Sequence, residues 1–322
     1  MEFQPYPIQF YPILKDRIWG GTKLETILNK PITSKTTGES WEISTVPKDV
    51  SVVANGKYQG KSLNEIIAHF PNEILGTNIH KKFGFEFPLL FKYLDAKQDL
   101  SIQVHPNDEL AKARHNSFGK TEMWYIMQAD ENARIIVGFN ENSSKEIYLK
   151  NLENKTILNI LDSKKVYQGD VFFIETGTIH AIGAGLVVAE IQQTSDITYR
   201  IYDFDRKDAK GNERELHTDL ALEAINYNKV ETQKKYSKTI NQSNETVNCP
   251  YFTTNFIPLD GKTSIHKTSK FFTVYMCVDG DFEILYNNEE FRYKKGDTIL
   301  IPAQMNHFEL SGKASLLEIY VL

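Results

Sequence analysis

The sequence has few cysteines, no long apolar run and no concentration of basic residues. Cys249 and Cys277 are its only cysteines, and they have neither CxxC spacing nor a nearby histidine pair, which excludes a disulfide framework and a thiolate metal site. No apolar run approaches a membrane span, and a net charge of -5 with dispersed basic residues argues against nucleic acid as a partner. The N-terminal residues lack an export signal pattern. We therefore expect a cytoplasmic protein with neither a membrane nor a nucleic-acid partner.

The chain is long enough to predict more than one domain. Its 322 residues exceed the size at which a single core usually stays undivided. Residues 231–248 are polar and rich in turn-forming residues, as expected of a domain boundary. The sequence therefore predicts a larger domain over residues 1–240 and a smaller one over residues 241–322.

Short runs rich in Val, Ile, Phe and Tyr, separated by Gly, Asn and Asp, dominate the chain and predict many antiparallel strands. Helical patterns with a capping residue occur near residue 65, after Pro106, over residues 143–163 and from residue 217. Since all of these precede residue 240, the fold class is mainly β, with a few helices inserted in the N-terminal part.

One twelve-residue pattern occurs twice, as GDVFFIETGTIH over residues 169–180 and GDTILIPAQMNH over residues 296–307. In both copies Gly-Asp predicts a tight turn into a strand, and a second turn leads to a histidine that starts the next strand. The pattern resembles the second half-motif of cupins, G-D-x4-P-x-G-x2-H, from which each copy departs at one turn position. This resemblance implies two cupin-like jelly-roll barrels. The alternative is two unrelated hairpins of equal length.

A set of metal-binding side chains surrounds the first copy. In SIQVHPND, Gln103 and His105 are two residues apart and share one face of a strand. Glu122 lies at the start of the next strand, and His180 closes the repeat. Two imidazoles, one carboxylate and one amide carbonyl form a mixed nitrogen and oxygen site suited to one zinc ion per chain, with room for substrate oxygens.

The second copy lacks this set. Aligning KFFTVYMCV with TEMWYIMQA places Phe271 where Glu122 stands, and His266 has no convincing ligand two residues before it. We therefore expect His307 to bind no metal, and residues 241–322 to form a cupin-like domain without a metal site.

Four segments together resemble the type I mannose-6-phosphate isomerases: WGG at residues 19–21, GESWEIS, PLLFKYLDAKQDLSIQVHPND and SDITYRIYDFDR. Two departures, Gly119-Lys-Thr-Glu-Met in place of His-Lys-Pro-Glu-Met and the lack of a large helical insert, look like the short bacterial branch. The resemblance implies a cupin that binds one zinc. The family's zinc ligands, one Gln, two His and one Glu, match the set Gln103, His105, Glu122 and His180.

The resemblance also implies the substrate site and the reaction. Family positions that act on the substrate match Lys92, Lys120, Glu190 and Arg200. The implied activity is aldose-ketose isomerisation between mannose 6-phosphate and fructose 6-phosphate through an enediol or enediolate. We assign catalysis to Arg200, Lys120 and Glu190, and substrate binding to Lys92, Lys120 and Arg200. The partner is then a small sugar phosphate, and the protein a monomer or homodimer.

Several roles stay open at this point. Glu190 is the best candidate for the proton-transfer base because Glu190, Gln192 and Thr194 share one strand face. A zinc-bound hydroxide or Lys120 are the alternatives, and Arg200 has two candidate roles, an oxyanion stabiliser or a phosphate ligand. Trp19 and Trp41 are left outside the site, since tryptophan in a strand-rich protein is often part of the core. The competing hypothesis is a zinc cupin that binds or senses a phosphosugar without converting it.

Overall fold

The computed structural model describes residues 2–207 and 211–322, and strands dominate it. The strands are β1 Ile13–Gly21, β2 Thr37–Ile43, β3 Thr45–Val46, β4 Asp49–Val50, β5 Leu89–Ala96, β6 Ile102–Val104, β7 Glu122–Ala129, β8 Arg134–Phe139, β9 Leu161–Lys165, β10 Val171–Ile174, β11 His180–Ile182, β12 Leu186–Gln193, β13 Tyr199–Tyr202, β14 Gln233–Lys234, β15 Asn244–Asn248, β16 Thr253–His266, β17 Thr273–Tyr286, β18 Glu289–Lys294, β19 Thr298–Ile301 and β20 His307–Tyr320. This confirms the mainly β fold class.

The described helices all lie before residue 240. They are α1 Lys23–Thr26, α2 Leu63–His69, α3 Pro71–Ile74, α4 Thr77–Phe83, α5 Asp108–His115, α6 Lys145–Glu153 and α7 Thr218–Ala224, with 3-10 turns at Gly56–Tyr58 and Ile157–Ile160. Side-chain caps begin three of them: Ser62 in a capping box at α2, Asn107 at α5 and Ser144 at α6. No helix in these ranges is long and apolar enough to cross a membrane.

The helix predicted over residues 143–163 is wrong in its second half. α6 ends at Glu153, and Lys155 has a φ of 57°, in the left-handed region that stops a right-handed helix. The chain continues through a 3-10 turn into β9, which pairs with the edge of β8. The apolar residues after α6 therefore belong to a 3-10 turn and to β9 rather than to a continued helix.

Two antiparallel sheets in the N-terminal part face each other. The seven-stranded sheet has the order β1-β2-β5-β12-β7-β10-β14, and the five-stranded sheet has the order β13-β6-β11-β8-β9. Buried apolar side chains from both sheets, such as Trp124 and Val188 on one side and Val137 and Ile182 on the other, form a common cluster. The space between these sheets also holds the candidate site described below.

The C-terminal part forms a third sheet that encloses its own apolar cluster. Its order is β15-β16-β20-β17-β18, with β19 paired to β17. Side chains alternate along β17: Tyr275 and Cys277 join the internal cluster, whereas Val274 and Met276 join a large cluster shared with the N-terminal seven-stranded sheet and α2. The predicted boundary at residue 240 therefore coincides with a change of sheet, while the largest apolar cluster contains residues from both sides of it.

Both ends of the chain meet in this shared packing. Ile8 and Leu300 exchange two backbone hydrogen bonds of 2.9 Å each. Next to them, the backbone of Leu75 accepts a hydrogen bond of 3.0 Å from the amide of Phe272. The C-terminal sheet is thus bonded to the N-terminal segment and to the helices around residue 75.

The two copies of the repeat form the same hairpin. Gly169 and Gly296 have φ values of 90° and 92°, which only glycine adopts without strain. Asp170 and Asp297 each accept a bond of 2.8 Å from the backbone amide three residues earlier. Each Gly-Asp turn also exchanges backbone bonds with one residue of the neighbouring strand, Ile126 in the first copy and Cys277 in the second copy.

This equivalence corrects the predicted alignment of the second copy. Since Cys277 occupies the place of Ile126, the residue four positions earlier, Thr273, corresponds to Glu122. The strand pairing agrees, because Glu122 is opposite Ile174 and Thr273 is opposite Ile301. Phe271, expected at this place, lies two residues away. The second copy still lacks a carboxylate there.

Candidate active site

The predicted metal-binding side chains converge between the two N-terminal sheets. Gln103 lies on β6, His105 follows it, Glu122 starts β7 and His180 starts β11, directly opposite Gln103 in the strand pairing. The Nε2 atoms of His105 and His180 are 3.1 Å apart, and they lie 3.5 and 3.4 Å from the carboxylate oxygens of Glu122. The amide nitrogen of Gln103 lies 3.3 Å from Nε2 of His180.

Backbone carbonyls fix the orientation of both imidazoles. Nδ1 of His105 lies 2.9 Å from the carbonyl of Ile197, and Nδ1 of His180 lies 2.8 Å from that of Thr178. Each Nδ1 therefore donates its proton to a carbonyl, which leaves Nε2 free as a ligand atom. Burial and the charge of Lys120 lower the pKa of His180 to about 4, and the same causes lower the pKa of His105 well below its ordinary value. Both rings are thus neutral near pH 7, the form that binds metal.

Glu122 and Lys120 complete this group. The Lys120 ammonium lies 2.5 Å from one oxygen of Glu122 and 2.8 Å from Nε2 of His105. The other Glu122 oxygen is buried without a hydrogen-bond partner. Burial and the nearby charge of Glu190 raise the pKa of Glu122 to about 7 against the opposing effect of Lys120. Two neutral imidazoles and a carboxylate with an unused oxygen form a donor set that fits a divalent metal ion.

A cavity of about 440 Å³ opens beside this group. Its walls contain five of the eight predicted site residues, namely Lys92, Gln103, Lys120, Glu190 and Arg200. The other three, His105, Glu122 and His180, are at most 1% exposed and adjoin the cavity through Gln103 and Lys120. All eight predicted residues therefore come together at one place.

Glu190 and Lys92 form a buried ion pair in the cavity wall. They are opposite each other on β12 and β5, with the ammonium 3.1 Å from one carboxylate oxygen, and Trp124 donates its indole N–H to the other at 3.0 Å. Although burial acts to raise the pKa of Glu190, the charges of Lys92 and Lys120 lower it. Glu190 is thus ionised near neutral pH, the form in which a carboxylate can act as a base.

Gln192 and Thr194, which the sequence places on the strand face of Glu190, do not line the cavity with it. Gln192 donates to the backbone carbonyls of Gln193 and Ser195, and Thr194 donates to the carbonyl of Phe87. Strand alternation places these side chains on one face of β12, but the cavity reaches only Glu190.

Arg200 is a cation without a carboxylate partner among the described residues. It lies on β13 opposite Gln103 and donates one guanidinium N–H to the backbone carbonyl of Glu215 at 2.7 Å. Its buried Nε has no hydrogen-bond partner. Burial and the charge of Arg214 lower its pKa against the opposing charges of Asp203 and Glu215. The guanidinium in the cavity wall is therefore suited to an anionic ligand.

The structure adds residues that the sequence left out of the site. Glu39 on β2 lines the cavity and accepts bonds of 2.9 and 3.2 Å from Arg17 and one of 2.6 Å from the indole of Trp41. Trp19 and Trp41 also line the cavity, and the Lys92 ammonium is 5.0 Å from the centre of the Trp41 ring. The alternation of side chains in GESWEIS, which puts Glu39 and Trp41 on one strand face, is the sequence pattern that could have predicted their place in the cavity wall.

Family models match both parts of the chain. Residues 8–149 match the phosphomannose isomerase type I catalytic domain, and residues 242–321 match the mannose-6-phosphate isomerase cupin domain. Fold and site together define a cupin protein with a buried His/Glu/His group suited to a metal ion.

Full-length relatives identify the family. Mannose-6-phosphate isomerase ManA of Bacillus subtilis is 39% identical over 312 residues, which are 96% of each chain. Mannose-6-phosphate isomerase of Streptococcus mutans is 35% identical over 313 residues, 97% of each chain. A crystal structure of the mannose 6-phosphate isomerase from Bacillus subtilis matches with a TM-score of 0.91 at 36% identity, over 99% of this chain and 100% of the other. The chain belongs to the type I phosphomannose isomerase family.

Proposed function

We propose that the protein is a zinc-dependent aldose-ketose isomerase that interconverts mannose 6-phosphate and fructose 6-phosphate through an enediol or enediolate. One observation carries this proposal. The hydrogen-bonded carboxylate of Glu190 and the guanidinium of Arg200, which has no anionic hydrogen-bond partner among the described residues, line one cavity, and the buried His/Glu/His group adjoins it. Isomerisation needs a base and positive charge near the reacting oxygens, because a weak carbon acid must lose a proton while negative charge develops on those oxygens, and these three elements can supply both.

Gln103, His105, Glu122 and His180 would hold one zinc ion. When bound, zinc supplies positive charge that polarises the substrate carbonyl and stabilises the developing oxyanion. Lys120, within 2.8 Å of two of these ligands, adds a second positive charge at the same place. The unpaired oxygen of Glu122 and the two unprotonated Nε2 atoms, whose rings donate from Nδ1 to backbone carbonyls, support this assignment.

Glu190 is the group that we assign to proton transfer. Its carboxylate removes the proton from C2 of the aldose and returns it to C1, a role that requires the ionised form near neutral pH. Lys92 and Trp124 hold both carboxylate oxygens in fixed positions, and the Lys92 charge favours ionisation. Arg200, with Lys92 and Lys120, binds the anionic substrate and stabilises charge during the reaction.

We further propose that chemistry is confined to residues 1–240. Among the described residues, His105, Glu122 and His180 are the group of three or more side chains found to suit a metal, and all lie in that part. Residues 241–322 would then be a cupin-like domain without a metal site. That the protein is a monomer or homodimer stays a prediction.

A coupled assay for fructose 6-phosphate tests the proposal. We expect zinc-loaded protein to convert mannose 6-phosphate, a strong chelator to abolish conversion while the protein stays folded, and added zinc to restore it. Binding of mannose 6-phosphate to zinc-loaded protein without turnover would instead support the phosphosugar-sensing alternative. Full activity in protein shown by elemental analysis to be metal-free would contradict the zinc assignment.

A further inference from the structure

The segment Gly119–Glu122, which carries Lys120 and Glu122, is held by two side chains from other elements. The Gly119 amide donates to Oδ1 of Asp108 at 2.8 Å, and the Thr121 amide donates to the side-chain oxygen of Gln193 at 2.9 Å. Gln193 in turn donates to Oδ1 of Asp108 at 3.0 Å. Both backbone amides on either side of Lys120 therefore depend on the position of the Asp108 carboxylate.

The second oxygen of Asp108 is bound from the C-terminal part of the chain. The hydroxyl of Tyr251, in the turn between β15 and β16, donates to Oδ2 of Asp108 at 2.8 Å across a sequence separation of 143 residues. Burial and the Asp108 charge raise the pKa of Tyr251 to about 12, so its hydroxyl stays protonated and remains a donor near neutral pH. Three donors on two oxygens fix the orientation of this carboxylate.

The packing around Asp108 leaves little room for adjustment. A Cβ atom on Gly119 would lie 2.8 Å from the Asp108 amide nitrogen and 2.9 Å from the carbonyl carbon of Asn107, so the segment lies directly against the start of α5. Asp108 is also only three residues after His105. A displacement of Asp108 is therefore transmitted to His105 through the chain and to Lys120 and Glu122 through hydrogen bonds.

We infer that Tyr251 is a positioning residue for the active site and acts through Asp108 on the segment that carries Lys120 and Glu122. The C-terminal part thereby contributes to catalysis without touching substrate or metal. This inference rests on the proposed function for its kinetic consequence, whereas its structural consequence, ordering of the Gly119 and Thr121 amides, can be measured without turnover.

The central experiment compares Tyr251→Phe with Tyr236→Phe in the full-length, zinc-loaded protein. Tyr236 is a control for the loss of one part-buried tyrosine hydroxyl, because that hydroxyl donates at 2.6 Å to the carbonyl of Gly169 within residues 1–240, away from the catalytic segment. In Tyr251→Phe we expect kcat to fall roughly 3- to 30-fold, less than the ~10²-fold that a 1 Å misplacement can cost, with KM changed less than about twofold. Tyr236→Phe should keep the wild-type kcat.

Amide exchange supplies the readout that is independent of activity. In Tyr251→Phe the Gly119 and Thr121 amides should exchange about tenfold faster, while both amides keep wild-type rates in Tyr236→Phe. In protein that already carries Asp108→Ala, the change Tyr251→Phe should cause no further loss of kcat. Asp108→Asn, which keeps an oxygen for the Gly119 amide and a group that can bond to Tyr251, should recover most of the activity lost in Asp108→Ala.

The outcomes separate the two levels of the proposal. Wild-type protein that binds zinc but does not isomerise would contradict the proposed function, and the exchange rates would still test the link. Equal exchange rates in both tyrosine variants, or fully additive losses of kcat in Tyr251→Phe and Asp108→Ala, would overturn the inference.

Discussion

The two copies of the repeat share a backbone and differ in the charges placed on it. Glu190 in the first copy corresponds to Glu318 in the second, because Glu190 pairs with Trp124 and Lys92 while Glu318 pairs with Tyr275 and Asn255 at the same strand positions. These partners donate hydrogen bonds to the carboxylate in both cases: at 3.0 and 3.1 Å to Glu190, and both at 2.8 Å to Glu318. The second copy has therefore kept a buried, hydrogen-bonded carboxylate.

The metal-binding positions differ between the two copies. Thr273 replaces Glu122, and His307 is exposed and contacts His266, with ring centres 4.3 Å apart and the rings tilted by 31°. Asn255 replaces the cationic Lys92, and Ser243 adds a third donor to Glu318 at 2.8 Å. The second copy thus shares the hairpin and the buried carboxylate but not the His/Glu/His group. In the function that we propose, this ligand set and the surrounding cations confine the chemistry to the first copy.

The largest expected difference between the copies concerns their histidines. His180→Asn removes one of the proposed metal ligands and should nearly abolish turnover, by more than about 10³-fold, since outer groups that merely support a ligand already cost 10–100-fold. His307→Asn should keep kcat and one zinc per chain, with a stability loss of ~0.5–3 kcal/mol at most. Bound zinc and kcat are measured for both variants. A second zinc in wild type that disappears with His307 would reverse this comparison.

The two corresponding carboxylates sharpen the comparison further. Glu190→Gln should lower kcat by about 10²–10⁴-fold, the usual contribution of a general base, with little change in folding. Glu318→Gln should leave kcat unchanged and lower the free energy of unfolding by about 1–3 kcal/mol, because an amide nitrogen replaces an acceptor that faces buried donors. Kinetics and denaturant unfolding of both variants test this. Unchanged kcat in Glu190→Gln would move the base assignment to Lys120 or to a zinc-bound hydroxide.

A third prediction tests the guanidinium at the first copy. Arg200→Lys keeps the charge but loses the planar arrangement of donors, so we expect kcat to fall by about 10²–10³-fold if Arg200 stabilises charge in the transition state. Steady-state kinetics with mannose 6-phosphate distinguish the two roles that the sequence leaves open. A change confined to KM would assign Arg200 to phosphate binding in the ground state.

The smallest effect is expected when Lys92 of the first copy is replaced by asparagine, the residue type at the corresponding position of the second copy. Lys92→Asn removes the largest charge that lowers the pKa of Glu190, so this pKa should rise. A base with a lowered pKa stays ionised at neutral pH and is lost only as the pH falls through that pKa. In wild type, kcat/KM should therefore fall only at a pH below about 4.3, the ordinary pKa of a glutamate. In Lys92→Asn the fall should begin at a higher pH.

The control for this prediction is Lys262→Met, which removes an exposed lysine paired with Glu309 on the C-terminal sheet. In this variant kcat/KM should fall at the same acidic pH as in wild type. Zinc content is measured at each pH, so that loss of metal is not mistaken for protonation of Glu190. If kcat/KM falls at the same pH in wild type and in Lys92→Asn while the zinc content stays constant, this would argue against Glu190 as the titrating base.

Sequence patterns predicted which side chains converge where they follow fixed spacings. Gln103 lies on β6, His105 follows that strand directly, and the repeat placed His180 at a strand start, so period-two alternation sufficed to predict that they lie close together. Tyr251 and Asp108 could not be paired in this way, because a contact across 143 residues depends on how the sheets pack. The misplacement of Phe271 for Thr273 has a related cause: a shift of two residues preserves the alternation of inward and outward side chains, so the pattern does not detect it.

The bonds between Ile8 and Leu300 set a condition on the order of folding. During synthesis the N-terminal segment emerges first, yet Leu300, the backbone partner of Ile8, lies 292 residues further along the chain. Contacts of such long sequence separation form slowly, since the intervening chain loses much of its freedom before they form. Until the C-terminal sheet has been synthesised, the N-terminal segment and the helices around residue 75 expose the apolar surface that packs against it, so we expect the nascent chain to depend on chaperones during that interval.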